Sequence, residues 1–132
     1  MIIVENSKKA YAKINLHLEI LNKRDDGYHN ILSIMVKTQL FDLLKLEKIN
    51  LYNSNTIESK ISLNCIGGLY KEEIEKIPEN ENLITKAAQL YLKKIDKSAE
   101  IELKITKNLP TGAGLGGGSS DAAATLKLLN EN

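Results

Sequence analysis

The sequence predicts an α+β fold, with a mainly antiparallel sheet and helices packed on one side. Three observations carry this. Segments of apolar–polar alternation fill the first half of the chain, two stretches of helical periodicity come late, and one more alternating segment lies between those two. Strands grouped ahead of helices favour an antiparallel sheet over a regular βαβ alternation. The 132 residues show no internal repeat and no linker, so one domain is expected.

The elements follow in order. Lys13 to Ile20, "KINLHLEI", sets Ile14, Leu16, Leu18 and Ile20 on one face and Lys13, Asn15, His17 and Glu19 on the other, which predicts a half-buried strand. "NKRDDGYHN" breaks it with Asp-Gly turn chemistry. Ile31–Leu40 and Leu43–Leu51 read as a second and a third strand, and Asn53–Thr56 as a polar turn. Alternation resumes over Glu58–Cys65 and ends at Gly67-Gly68. "YKEEIEKIPENEN" reads as loop or short helix, and Pro78 bars a helix through it. Ile84, Ala87, Ala88, Tyr91 and Ile95 then recur at helical spacing, with Asn82 or Asn80 placed to cap. In "EIELKIT", Ile101, Leu103 and Ile105 share a strand face. A glycine loop follows, then a helix over about Ser119–Leu129 whose apolar face is Ala122, Ala123, Leu126 and Leu129.

Composition narrows the function classes. Apolar residues make up 42% and charged residues 27%, the balance of a soluble globular protein. A net charge of +1, spread without long single-sign runs, gives no electrostatic footprint for nucleic acid or a membrane surface. No stretch approaches the ~18–20 apolar residues of a membrane span. The opening "MIIVENSKKAYAK" is too short and polar for a signal peptide, so the cytoplasm is the expected location. The single cysteine, Cys65, forms no internal disulfide and reads as a core residue.

Five of the eight glycines lie in "PTGAGLGGGSS", Pro110–Ser120, directly ahead of a helix. Glycine lets several backbone N–H groups approach one anion. The helix behind adds unpaired N–H groups and the positive end of its dipole. Ser119 and Ser120 bring hydroxyls able to cap the helix or bind phosphate oxygens. The loop therefore reads as a phosphate site. Gly112-x-Gly114-x-x-Gly117 satisfies the dinucleotide fingerprint literally, but the preceding strand alternates, and the sequence ends before the acidic residue expected ~20 residues beyond the motif. The Walker pattern fails because Gly118 stands where its lysine belongs. A third class of ATP loop remains.

"PTGAGLGGGSSDAA", residues 110–123, resembles the second motif of the GHMP kinases, the superfamily of galactokinase, homoserine kinase and mevalonate kinase. "AYAKINLHLEILNKRDDGYHNILSIM", residues 10–35, is similar to the opening of those members that phosphorylate 4-diphosphocytidyl-2-C-methyl-D-erythritol in the non-mevalonate isoprenoid pathway. "ENLITKAAQLY" and "ITKNLP" also look familial, so the resemblance covers essentially the whole chain.

The resemblance implies a GHMP-kinase N-terminal, ATP-binding domain over residues 1–132, with Mg²⁺-ATP as phosphoryl donor and a cytidine diphosphate-linked methylerythritol as the small-molecule acceptor. It places Pro110, Thr111, Gly112, Ala113, Gly114, Leu115, Gly116, Gly117, Gly118, Ser119 and Ser120 around the ATP phosphates. It assigns catalysis to Lys13, whose point charge suits a developing alkoxide or the moving phosphoryl group. Asn15 on the same face, with Tyr28 and His29, would hold substrate, the last two at the cytidine end. Asn82, Leu83 and Lys107 match positions near the adenine pocket. No metal ligand is assigned. Asp121, in the first turn of the last helix, is explained by the helix dipole alone.

The family's general base is an aspartate in a "DVP"-like segment downstream of the loop helix, and no aspartate here matches it. The expectation is a truncated N-terminal part, with the second domain absent and little activity alone. Two alternatives stay open: another GHMP small-molecule kinase, or a non-catalytic nucleotide- or RNA-binding module. For RNA, a single arginine, Arg24, and few aromatics argue against.

Overall fold

The computed structural model describes residues 2–53 and 56–132, so Ser54 and Asn55 of the expected polar turn lie outside the described residues. The order is β1 (Ile2–Lys23), β2 (His29–Tyr52), β3 (Lys60–Gly67), α1 (Lys71–Glu75), α2 (Leu83–Lys94), β4 (Ser98–Thr106) and α3 (Gly117–Asn130). The four strands form one sheet in the order β1-β2-β4-β3. β1 with β2 and β2 with β4 are antiparallel, while β3 lies parallel to β4. The mainly antiparallel α+β expectation holds, and β3 runs parallel because α1 and α2 carry the chain back before β4.

Alternation in the central strands separates two environments. Leu44, Leu46 and Ile49 of β2 and Ile101, Leu103 and Ile105 of β4 are buried against Ile84, Ala88 and Leu92 of α2 and Ala124, Leu128 and Leu129 of α3. Each such leucine or isoleucine contributes about 1.5–3 kcal/mol on burial. On the opposite face Lys48 meets Glu100 at 2.7 Å and Lys104 meets Glu47 at 3.3 Å. The Asn82 side chain accepts from the Ile84 N–H at 2.9 Å, so Asn82 and not Asn80 caps α2.

Three expectations are corrected. The second and third strands are one continuous β2, because Phe41 and Asp42 stay in the ladder opposite Tyr11 and Ala10. The register slips between Tyr11–Phe41 and Lys13–Lys37, so β2 carries a bulge around Thr38 whose hydroxyl donates to the Ala12 carbonyl. Beyond the bulge the two strands run on as a hairpin, with no further described strand beside them. Ile14, Leu16, Leu18 and Ile20, read as a half-buried face, are 41–67% exposed there. Their alternation made a strand, but no described element covers it. Finally, α3 begins at Gly117 and buries Asp121, Ala124, Thr125, Leu128 and Leu129, leaving Leu126 and Ala123 exposed. The reason is the inward pull on Asp121 described below.

Gly68 turns the chain from β3 into α1 at φ +103°, and a Cβ there would lie 2.1 Å from the Lys107 carbonyl oxygen. The turn backbone and β4's exit are locked together: the Lys107 N–H donates to Gly67 O (2.9 Å), and the Tyr70 N–H to Lys107 O (3.0 Å).

The two halves of the sheet should respond differently to truncation. Leu103→Ala is expected to destabilise the chain by about 2–5 kcal/mol. Leu18→Ala, on the uncovered hairpin, should stay within about 0.5 kcal/mol. Urea unfolding followed by circular dichroism checks both, and a large loss for Leu18→Ala would mean that the hairpin is packed.

Candidate functional site

Gly112, Gly114 and Gly116 hold φ of +70°, +74° and +70°, conformations that side chains disfavour. Gly116 is the N-cap of α3 and offers no side chain for capping. The Ser120 N–H donates to the Gly116 carbonyl at 2.9 Å and closes the first turn. The N–H groups of Gly117, Gly118 and Ser119 precede that bond and have no carbonyl a turn behind them within the helix. Ser119 and Ser120, expected as possible caps, sit inside the helix instead. The result is a row of backbone donors at the positive end of a 14-residue helix, an arrangement suited to an anion.

A cleft of about 350 Å³ opens in front of this row. Residues 110–119 of the loop form one wall; Ile74, Ile77, Asn82 and Leu83 form the other. Leu83 is 46% exposed and offers an apolar surface at the mouth. Asn82 lines the cleft, but its side-chain oxygen already caps α2. Ser120 faces away, into a second groove shared with Lys13, Lys37 and Lys127.

Lys13 joins the two ends of the sequence. The β2 bulge frees its backbone N–H from the ladder, and it donates to the Leu115 carbonyl at 2.9 Å. Its ammonium donates to the Gly114 carbonyl at 2.8 Å and to Asn15 Oδ1 at 2.7 Å. Asn15 in turn donates to Ser33 Oγ at 2.7 Å. The stem of Lys13 runs against Gly116, where a Cβ would come within 3.2 Å of it. Lys13, Asn15 and the loop are therefore one constellation. Tyr28 and His29 are not part of it: they lie at the hairpin's far end, where Lys23 pairs with His29, ten residues along β1 from Lys13.

Behind the loop lies a buried charge cluster. Lys107 is only 3% exposed, and its ammonium contacts Asp42 Oδ2 at 2.5 Å and Asp121 Oδ2 at 2.8 Å. Asp42 Oδ1 accepts from the N–H groups of Asn108 (2.5 Å) and Leu109 (2.8 Å). Asp121 Oδ1 is buried and has no hydrogen-bond partner among the described residues. Lys107 lines the cleft, with its ammonium engaged by two carboxylates. Asp121 is a buried, ion-paired group in the second turn of α3, contrary to its reading as a first-turn residue explained by the helix dipole alone. Asp42 escaped the sequence reading, although it shares the parity of Leu44 and Leu46. Glu73, whose carboxylate accepts from the Thr111 N–H at 2.8 Å, left no comparable trace in the sequence.

The cluster perturbs its own titration. Burial, the largest influence, pushes the Asp121 carboxyl up from 3.8 to about 7, against the opposing pull of the Lys107 ammonium. Burial also works to lower Lys107, but the hydrogen bonds and charges of Asp121 and Asp42 outweigh it and leave that group raised.

Among the described residues, no three His, Cys, Asp or Glu side chains cluster as a metal cage. None of the described helices is long and apolar enough to cross a membrane.

Residues 82–132 match the family described as GHMP kinases N terminal domain. The chain is 43% identical over 124 residues to the 4-diphosphocytidyl-2-C-methyl-D-erythritol kinase of Clostridium beijerinckii, covering 93% of this chain and 39% of that protein. Identity to the enzyme of the same name from Caldicellulosiruptor bescii is 44%, over 93% of this chain and 38% of that one. The chain thus spans about two fifths of the length of the curated relatives it matches. A crystal structure of 4-(cytidine 5'-diphospho)-2C-methyl-D-erythritol kinase superposes with a TM-score of 0.68 at 31% identity, over 96% of this chain and 40% of that one. Homoserine kinase from Cytophaga hutchinsonii shares the fold, with a TM-score of 0.53 at 19% identity over 74% of this chain and 28% of that one.

The raised Asp121 carboxyl has a definite pH consequence. Folded, it binds its proton more tightly than unfolded, so its contribution to stability falls as pH rises from about 4 to about 7 and then levels. Asp121→Asn keeps an acceptor for Lys107 and removes the titration. Urea midpoints at pH 5 and pH 8 should fall more for the parent chain than for the variant; equal falls would show that Asp121 is not the group responsible.

Proposed function

We propose, because this chain is of the GHMP kinase family over residues 82–132, that it forms the ATP-binding N-terminal part of a kinase. The kinase would transfer the terminal phosphoryl group of Mg²⁺-ATP to a hydroxyl of 4-diphosphocytidyl-2-C-methyl-D-erythritol, in isoprenoid precursor synthesis in the cytoplasm. The observation that carries this reading is the meeting of Lys13 with the glycine loop, through its backbone to Leu115 and its ammonium to Gly114. Two motifs a hundred residues apart converge on one anion-binding loop.

The roles follow from the geometry. The loop N–H groups, with the α3 dipole behind them, hold phosphate oxygens. The exposed Leu83 side chain offers the adenine an apolar contact. Mg²⁺ brought with ATP would supply charge neutralisation. Lys13 lies across the loop from the cleft, facing the second groove. On this reading it exchanges its bonds to Gly114 and Asn15 for the transferred phosphoryl group or the acceptor oxygen, where a fixed positive charge lowers the barrier. Asn15 orients that ammonium and offers a hydrogen bond to the acceptor. Tyr28 and His29, at the exposed end of the hairpin, are assigned to the cytidine of the acceptor: a ring to stack and an imidazole to hydrogen-bond. No residue of this chain is assigned as the general base.

The test is ADP release from Mg²⁺-ATP by the kinase carrying this chain, with the cytidine diphosphate-linked acceptor, with homoserine, and with neither. Release that depends on the cytidine compound is expected. Lys13→Ala should lower kcat by about 10²–10³-fold, the scale of losing one charge-stabilising donor. Release that follows homoserine would assign a different GHMP substrate. ATP binding without turnover on any alcohol would make the chain a nucleotide-binding module.

A further inference from the structure

The glycine loop has two ends, and a single side chain touches both. Lys107 is the residue at which β4 gives way to the loop, and its ammonium reaches Asp121 in the second turn of α3 at 2.8 Å. The same ammonium contacts Asp42 of β2 at 2.5 Å, and Asp42 also takes the N–H groups of Asn108 and Leu109, the two residues entering the loop. Gly117 packs against this group: a Cβ there would stand at ordinary contact distance, 3.5 Å, from the ammonium and at a tighter 3.3 Å from Leu109 Cβ. All three charged residues are at most 3% exposed.

The charges alone work against the site. At pH 8, the pH chosen for the titrations, Asp121 is ionised, and two carboxylates and one ammonium leave an excess of negative charge behind a row of donors meant for an anion. A cluster that served only electrostatics would have the opposite sign. The geometry therefore points to a different task. We infer that Asp42, Lys107 and Asp121 are positioning residues, which fix the entry and the exit of the glycine loop relative to each other, so that its N–H groups are held converged on the nucleotide phosphates. The inference rests on the reading of the loop as a phosphate site.

The sign of the charge makes it testable. Asp42→Asn and Asp121→Ala each remove a negative charge from behind the loop. If the carboxylates acted only through charge, both variants would bind ATP more tightly. As positioning groups, they should weaken ATP binding by at least about fivefold while leaving adenosine, which has no phosphate, within about twofold. The measurement is titration of the 132-residue chain with ATP and, separately, with adenosine, at pH 8 and at a temperature where circular dichroism shows each variant folded. Lys107→Met should weaken ATP most, with partial recovery in Lys107→Arg, which still spans two carboxylates.

Unchanged or tighter ATP binding in a folded Asp42→Asn or Asp121→Ala variant overturns the inference. Equal weakening for ATP and adenosine overturns it too, since that is the signature of general destabilisation. Should Lys107→Met or Asp42→Asn fail to fold, Asp121→Ala decides, because it leaves the Lys107–Asp42 pair intact. Failure of the parent chain to bind ATP while binding adenosine would instead remove the phosphate-site reading itself, a result separable from the others.

Discussion

An ammonium taken out of water has to be neutralised and hydrogen-bonded where it sits. Lys107 meets that demand with carboxylates from two other elements, and much of the arrangement follows. Asp121 is drawn inward, so the rotation of α3 about its own axis is set by a charge and not by its most apolar stripe. Asp42 is drawn to the same point, so β2 stays in the ladder through a stretch that looks like a break. Such clusters add little net stability beside a well-packed apolar alternative, but breaking one is expensive, about 3–5 kcal/mol. Their value lies in excluding other registers and rotations. Here that selectivity falls at the place where a donor row must be aimed.

The loop is held from outside by different means. Lys13 supports it from the β1 side with one backbone and one side-chain bond, both made possible by the bulge in β2. Glu73 takes the Thr111 N–H from the α1 side. Gly68 lets the β3–α1 turn press onto the Lys107 backbone. A segment with three left-handed glycines would lose considerable freedom on ordering, and these contacts at its two flanks and its base offset that loss before any ligand arrives.

Much of this was legible in the residues. The glycine run followed by a helix pointed to the donor row, and alternation located the strands. Lys107 could have been placed on the inner face, since it continues the parity of Ile101, Leu103 and Ile105, and Asp42 continues that of Leu44 and Leu46. What parity could not reveal was that the two positions meet the same helix turn; that depends on strand order, with β4 next to β2. The helix face was misjudged because Asp121 was explained by the helix dipole alone while Ala122, Ala123 and Leu126 were weighed as core. The hairpin was misjudged for a related reason. Alternation reports that a strand has two unlike faces, not that a partner covers one of them, and Leu16, Leu18 and Ile20 lie beyond the reach of α2 and α3.

The strand order β1-β2-β4-β3 also has a temporal side. Ribosomes make chain from the N-terminus at about 5–20 residues per second. β2 ends at Tyr52, and its inner neighbour β4 begins at Ser98, so residues 53–97, 45 in all, are made in between. For roughly 2–9 s at that rate, one long edge of β2 has no strand to pair with, while the hairpin beside it already shows its apolar side chains. Only when β4 slides between β2 and β3 can the sheet close. Lys107 emerges at the end of that same strand and finds Asp42 waiting. The glycine loop and α3, which leave the ribosome tunnel after it, are then received by a sheet whose anchoring charge is already in place.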